Sequence, residues 1–111
     1  MLYYEFLVGD KSYKLRLNTR NTIALEKVLH CNPLGIFGAG ERIPTITEMV
    51  QILHYALQEY QHGYSLDDAY DVFDAYITEG NTSTDFIQVI VEVYKVSGII
   101  KKDRVGIEKN A

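Results

Sequence analysis

The sequence predicts an α+β fold, mainly α, in which an N-terminal β-hairpin packs on about four helices. Residues 2–17 alternate apolar and polar side chains, which is typical of half-buried strands. From residue 18 onwards the apolar residues recur at the spacing of amphipathic helices. The chain has 111 residues, which suits one domain with a single modest core. We therefore expect one globular domain over residues 1–100.

The predicted hairpin consists of two short strands that a glycine separates. The first strand places its larger apolar side chains on one face, and these are Leu2, Tyr4, Phe6 and Val8. The second strand alternates in the same way, with Tyr13, Leu15 and Leu17 on one face. Gly9 supplies the positive φ that a tight turn requires. Because two strands alone are only marginally stable in water, the hairpin is expected to lie on the helices.

Four helices are predicted, near residues 19–30, 45–61, 65–79 and 83–97. Asn18 has the side-chain oxygen of a helix N-cap, and Thr45 and Ser65 are each followed three residues later by an acid, which is the capping-box pattern. The Asn32-Pro33 pair is expected to stop the first helix, because the residue before a proline is pushed out of helical space. The last helix is apolar almost all the way round, so we expect it at the centre of the core or against another subunit.

Two other segments are expected to be more mobile than these elements. The loop over residues 34–43 contains three glycines around Ile36 and Phe37, whose side chains are expected to hold it in place. Residues 101–111 have few apolar side chains and are predicted to form a flexible C-terminal tail.

The charge balance argues against nucleic acid as a partner. Eleven basic and fifteen acidic residues give a net charge of −4, and no basic stripe is present that could neutralise phosphates. The only cysteine, Cys31, excludes an internal disulfide and a cysteine-rich zinc site. The N-terminus lacks the basic and apolar regions of a signal peptide, and no apolar run reaches the roughly 18 residues of a membrane span. We expect a soluble protein that binds neither nucleic acid nor membrane.

Few residues offer catalytic or metal-binding chemistry. Cys31 and His30 are adjacent, but neighbouring residues at a helix end point in different directions, so a buried structural thiol is the favoured interpretation. His54 and His62 lie on nearly the same face of a helix, yet no third ligand accompanies them. The aspartates of residues 67–74 lack the order of a calcium-binding loop. We therefore expect that the protein is not an enzyme and binds no metal or cofactor. A small enzyme that uses the cysteine and the three histidines stays open as an alternative function.

The helix predicted over residues 65–79 has a pattern that suits a protein interface. Apolar residues share one of its sides, and these are Leu66, Ala69, Tyr70, Phe73, Tyr76 and Ile77. Carboxylates cover the rest of its surface as an acidic face, which consists of Asp67, Asp68, Asp71 and Asp74. Aromatic residues are enriched at protein interfaces, where they combine apolar area with a polar group. We therefore predict a partner-binding set of six aromatic residues, namely Tyr60, Tyr64, Tyr70, Phe73, Tyr76 and Tyr94.

Three blocks of the chain, taken in order, carry a resemblance to a known family. The first is the hairpin that ends in YKLRLNTRNTIALEKVLHCNPLGIF, the second is ITEMVQILHYALQEYQHGYSLDDAYDVFDAYITEG, and the third is FIQVIVEVYKVSG. Together they span about residues 3–99 and resemble the tail assembly chaperones of long-tailed bacteriophages and prophages of Gram-positive bacteria. The resemblance rests on the order of the blocks and not on a single motif.

The resemblance implies a non-enzymatic role in the cytoplasm of the bacterial host. Proteins of this family bind the long helical tape-measure protein, keep it soluble, help to deliver major tail protein around it and are absent from the finished virion. Because a tape-measure protein exposes amphipathic helices, its chaperone needs apolar grooves that accept them. We also expect a homo-oligomer, since head-to-tail contacts generate rings or open arrays.

Two further functions stay open at the level of the sequence. A structural tail-completion or head–tail connector protein would differ from a chaperone by its presence in mature particles. An acidic regulator that mimics nucleic acid or binds a host factor would use the four aspartates of the acidic face.

Overall fold

The computed structural model describes residues 2–101 as a two-stranded antiparallel hairpin followed by four helices. The strands are β1 (Tyr4–Val8) and β2 (Lys11–Leu15), and the helices are α1 (Thr19–Leu29), α2 (Ile46–Leu57), α3 (Leu66–Thr78) and α4 (Ser83–Val96). A short 3₁₀ helix, Pro33–Phe37, lies between α1 and α2. The predicted fold class is therefore confirmed. Apart from Lys101, the tail predicted over residues 101–111 lies outside the described residues.

The two strands pair through the two-residue turn Gly9-Asp10, which confirms the predicted hairpin. Gly9 has a φ of 62°, a left-handed conformation that residues with a Cβ rarely adopt. Phe6 faces Tyr13 across the ladder, so the buried side chains of both strands lie on the same face of the hairpin. That face packs on the helices, as expected for a hairpin too small to be stable alone.

α2 lies at the centre of the molecule and packs against α1, α3, α4 and β2. Its buried side chains are Met49, Val50, Ile52, Leu53, Ala56 and Leu57. β1 packs instead on α3 and α4. At that contact four rings form an aromatic cluster with neighbouring centroids 5.1–6.5 Å apart, and its members are Phe6, Phe73, Tyr76 and Phe86. Among the described helices, none is long and apolar enough to cross a membrane.

The predicted helix starts are confirmed, because the capping groups make the expected hydrogen bonds. At the start of α2 the Thr45 hydroxyl accepts from the Glu48 N–H at 3.1 Å, and the Glu48 carboxylate accepts from the Thr45 N–H at 2.8 Å. The predicted capping box at the start of α3 is also present. Thr82 and Asp85 form a third box at the start of α4. Local sequence therefore determines where these three helices begin.

The first helix ends where it was predicted but by a different stop signal, whereas the second helix ends earlier than predicted. α1 stops because His30 adopts a left-handed φ of 58°, before the chain reaches Asn32-Pro33. α2 stops several residues earlier than predicted. Beyond it, the Gln61 side chain accepts from the Lys14 N–H and donates to the Lys14 carbonyl. The segment after α2 is thus held by a long-range contact with β2, which helical periodicity does not reveal.

Candidate partner-binding surface

Three of the six aromatic residues predicted to bind a partner lie in the core. Phe73, Tyr76 and Tyr94 are 6%, 7% and 0% exposed. The expectation that they form an uncovered surface is therefore wrong for the isolated chain, since their rings already pack within it. For Phe73 and Tyr76 the physical reason is the orientation of α3, which turns these two residues and Val72 towards the core and leaves Tyr70 exposed. Tyr94 is buried on α4.

Tyr94 connects two parts of the core. Its hydroxyl donates to the Pro33 carbonyl at 2.9 Å, and its ring lies 6.3 Å from that of Phe37. Burial raises the pKa of Tyr94 far above its ordinary value of 10.0, so the hydroxyl remains a donor. Tyr94 thereby fixes α4 against the 3₁₀ helix.

The other three aromatic residues keep accessible ring surface. Tyr70 is exposed, and Tyr60 and Tyr64 are partly exposed. The Tyr60 ring packs edge-on against Tyr3 with centroids 5.3 Å apart, and the Lys14 ammonium lies within 5.8 Å of both ring centroids. Tyr60 therefore already has partners on the hairpin, and Tyr64 packs on Tyr13 in the same way, which leaves Tyr70 as the freest of the predicted contacts.

The predicted acidic face is exposed along α3, and its members are Asp67, Asp68, Asp71 and Asp74. Asp68 also has a structural role, because its carboxylate accepts from the Ser65 N–H at 2.8 Å. Asp67 and Asp68 lie in the first turn, where negative charge favours the helix N-terminus. The acidic face is therefore a solvated surface that stabilises α3 at one end.

A groove runs between the hairpin and α3. It consists of two adjoining hollows of about 330 and 340 Å³, which share the residues Lys11, Tyr13, Asp71 and Val72. The first hollow extends along α3 to Ala75 and Glu79, and the second extends to Tyr64 and Asp68. We call this feature the hairpin–α3 groove. It brings together three residues that the sequence had indicated separately, namely Tyr64, Asp68 and Asp71.

The hairpin–α3 groove has an apolar floor and an acidic rim. Tyr13 and Val72, which are 8% and 6% exposed, form the floor. The Tyr64 ring packs edge-on against Tyr13 at 6.1 Å, and burial together with this neighbour raises the pKa of Tyr13. Four carboxylates and one ammonium complete the lining, and they belong to Asp10, Asp68, Asp71, Glu79 and Lys11. This lining favours a segment that presents apolar side chains flanked by basic ones.

The outer edge of β2 is covered near the end of the strand. The Lys14 N–H donates to the Gln61 side chain at 2.7 Å, and the Lys14 carbonyl accepts from it at 2.9 Å. The next outward N–H, that of Arg16, donates to the Ala56 carbonyl at 3.0 Å. A partner strand cannot pair with groups that are already bonded. The end of β2 near Lys14 and Arg16 therefore offers no free edge to a partner strand.

Several groove residues were not predicted from the sequence as functional. Tyr13 has the pattern of a core residue, and Lys11, Val72 and Ala75 have no distinguishing pattern. The hairpin turn and α3 are far apart in the chain, so only the packing of β1 on α3 brings them together. The one signal in the sequence was the alternation that placed Tyr13 on the inward face of the hairpin.

The residues considered for catalysis have separate environments. Cys31 lies against the 3₁₀ helix, where a Cβ added to Gly35 would come within 2.9 Å of its Sγ. His54 is half-buried, and burial lowers its pKa, whereas His30 and His62 are exposed. Within the described part of the chain, no hydrogen bond joins Cys31 to a histidine, and no group of three or more His, Cys, Asp or Glu residues could hold a metal ion.

Comparison with known families places the chain in one of them. A family model matches residues 5–111, which include nearly all of the hairpin and the four helices. The chain belongs to DUF6096, a family of unknown function. No curated protein and no solved structure matches it. The function of this DUF6096 domain therefore has to be inferred from its own surface and sequence.

Proposed function

We propose that this DUF6096 protein is a phage tail assembly chaperone that binds the tape-measure protein and assists assembly of the tail tube in the cytoplasm of the bacterial host. The observation that carries the proposal is the hairpin–α3 groove, with its apolar floor and acidic rim. The resemblance of the three sequence blocks to tail assembly chaperones supplies the class of partner. The major tail protein is a second partner that the same resemblance implies.

The shape and lining of the groove suit one face of an amphipathic helix. Apolar side chains of such a helix would lie on Tyr13 and Val72, and the small side chain of Ala75 leaves room for a close approach. Basic residues beside that apolar face would lie near the carboxylates of Asp71 and Glu79. Covering the apolar face of a tape-measure helix would keep that long protein soluble before the tail is built.

Ala75 is the position at which the groove can be blocked with least risk to the fold. It is exposed, and it lies one helical turn from both Asp71 and Glu79. In the variant Ala75→Arg, the guanidinium would reach both carboxylates and fill the space between them. Thr84→Arg, at an exposed position of α4, adds the same side chain away from the groove and is the matched control.

We expect a long, coiled-coil-rich tape-measure protein to be encoded just downstream of this chain. The test is co-expression of this chain with that protein, followed by measurement of the soluble fraction of the tape-measure protein. We expect the wild type and Thr84→Arg to keep the tape-measure protein in solution and to co-purify with it, and Ala75→Arg to lose both effects. Circular dichroism would show that both variants are folded. Equal solubilisation by all three proteins would exclude the groove, and no solubilisation by the wild type would exclude the chaperone function.

Absence from the virion distinguishes a chaperone from a tail-completion or head–tail connector protein. Mass spectrometry of purified mature particles should detect the major tail protein and the tape-measure protein but not this chain. Recovery of the chain in amounts comparable to a structural ring would instead identify it as a virion component.

A further inference from the structure

Two helix faces outside the hairpin–α3 groove carry charges of opposite sign. α1 and α3 both pack on α2, and neither packs comparably on the other. Their outer faces therefore lie on different parts of the surface. We call them the basic α1 face, formed by Arg20, Ile23 and Lys27, and the Asp67/Tyr70/Asp74 face of α3.

The basic α1 face has an apolar residue between two cations. Ile23 is 49% exposed, although it is a large aliphatic residue, and Arg20 and Lys27 are also exposed. The surface beside Ile23 is an open depression, which is lined by Thr19, Arg20, Ile23, Ala24 and Lys27. This face can therefore accept a bulky side chain flanked by negative charges.

The α3 face repeats the same spacing with the opposite charge. Tyr70 is 50% exposed and lies three residues after Asp67 and four before Asp74. Ile23 likewise lies three residues after Arg20 and four before Lys27. On a helix this spacing places all three side chains on one face over two turns. An aromatic residue between two anions on α3 thus matches an aliphatic residue between two cations on α1.

We propose that a second copy of this chain docks here, with the basic α1 face of one molecule against the Asp67/Tyr70/Asp74 face of the next. The aromatic ring would enter the depression beside Ile23, and the flanking charges would pair. None of the three ion pairs within residues 2–101 involves these four charged residues, so their charges are available to a neighbour. The two helices have similar lengths, which are about 16 and 20 Å at 1.5 Å per residue.

The contact is head-to-tail, because it joins two different faces of the same chain. Each docked pair leaves one basic and one acidic face free, so assembly can continue into a ring or an open array. Exposed ion pairs contribute little individually, and the contact is small, so self-association is weak. The two faces share no residue with the hairpin–α3 groove. The proposed contact between copies therefore does not depend on the proposed chaperone function.

Charge reversal provides a sharp test. The double variant Arg20→Glu/Lys27→Glu makes both faces acidic, and Asp67→Lys/Asp74→Lys makes both faces basic. Each variant alone should fail to associate, with a dissociation constant raised at least about tenfold. An equimolar mixture should associate again, because each face of one variant is then complementary to a face of the other. Sedimentation velocity from about 10 µM to about 1 mM would cover the expected affinity range.

The matched controls change the net charge equally at other sites. Lys101→Glu/Lys102→Glu, which follow α4 in the chain, corresponds to the α1 variant, and Glu5→Lys/Glu41→Lys corresponds to the α3 variant. Both should self-associate as the wild type does, and circular dichroism should show all four variants folded. A wild type that stays monomeric throughout this range, a reversed variant that still associates, or a mixture that remains monomeric would each overturn the proposal.

Discussion

The hydroxyl of Tyr94 joins α4 to the 3₁₀ helix that lies between α1 and α2. The Tyr94 hydroxyl donates to the Pro33 carbonyl at 2.9 Å in the core. Tyr94→Phe keeps the ring but removes this buried hydrogen bond, so we expect the free energy of unfolding to fall by about 1 kcal/mol. Urea denaturation followed by circular dichroism would measure it. Tyr70→Phe is the control on an exposed ring, and an equal loss there would show that the buried hydrogen bond contributes nothing specific.

His30 has a backbone conformation that glycine adopts more readily than histidine. Its φ of 58° is left-handed, and its N–H donates to the Glu26 carbonyl at 2.8 Å as a helix C-cap. Glycine keeps that N–H and adopts this φ without a steric cost, so His30→Gly should raise the free energy of unfolding by about 0.5–1 kcal/mol. Thermal and urea denaturation would measure the change. His62→Gly, at an exposed position without a positive φ, should not stabilise the protein, and a loss of stability in His30→Gly would contradict the explanation.

At the scale of elements, Arg42 ties the glycine-containing loop to the start of α2. Its guanidinium donates to both carboxylate oxygens of Glu48 at 2.9 Å and to the Ile36 carbonyl at 2.6 Å. The same carboxylate accepts from the Thr45 N–H in the capping box. Partial burial raises the pKa of Glu48, but these hydrogen bonds and the Arg42 charge outweigh it and leave the pKa below its ordinary value of 4.5.

This lowered pKa makes part of the stability dependent on pH. Glu48 stabilises the fold fully above pH 4.5, and the contribution is lost as the pH falls through the lower pKa of the folded state. Glu48→Gln retains a capping oxygen but loses the charge, so it should be less stable than the wild type by about 0.5–1 kcal/mol near neutral pH. Urea denaturation at several pH values should show this difference shrinking in acid. Glu41→Gln in the same loop should show no such trend, and a difference constant with pH would exclude the ion pair as its source.

The elements could be predicted because their determinants are local. Thr45 with Glu48 starts α2 by hydrogen bonds that span three residues, and Gly9 turns the hairpin within two. The end of α2 was predicted wrongly because Gln61 bonds β2, a contact between residues 47 apart. Helical spacing alone also failed to show that α3 would bury Val72 instead of Tyr70, since the orientation of a helix depends on what it packs against.

At the scale of the whole molecule, the candidate surfaces result from packing between distant segments. The hairpin–α3 groove exists because β1 packs on α3, which brings the hairpin turn beside Ala75 and Glu79. The sequence pattern indicates the carboxylates of α3 but not that Lys11 and Tyr13 lie next to them. α1 and α3 both pack on α2, and this keeps the basic α1 face apart from the Asp67/Tyr70/Asp74 face. One small core thereby supports both of the proposed contact surfaces.

The aromatic cluster should couple the hairpin to the helices in a single unfolding transition. Phe86 on α4 contacts the rings of Phe6, Phe73 and Tyr76, so it joins β1, α3 and α4. Phe86→Ala should lower the free energy of unfolding by about 3–5 kcal/mol, because it leaves a cavity among these rings. Circular dichroism, which reports the helices, and tyrosine fluorescence, which also reports the hairpin, should still give coincident transitions. Leu7→Ala, which removes an exposed aliphatic side chain, should change stability by about 0.5 kcal/mol or less. Separate transitions for the two probes in the wild type, or a loss of stability in Phe86→Ala no larger than that in Leu7→Ala, would contradict this role of the cluster.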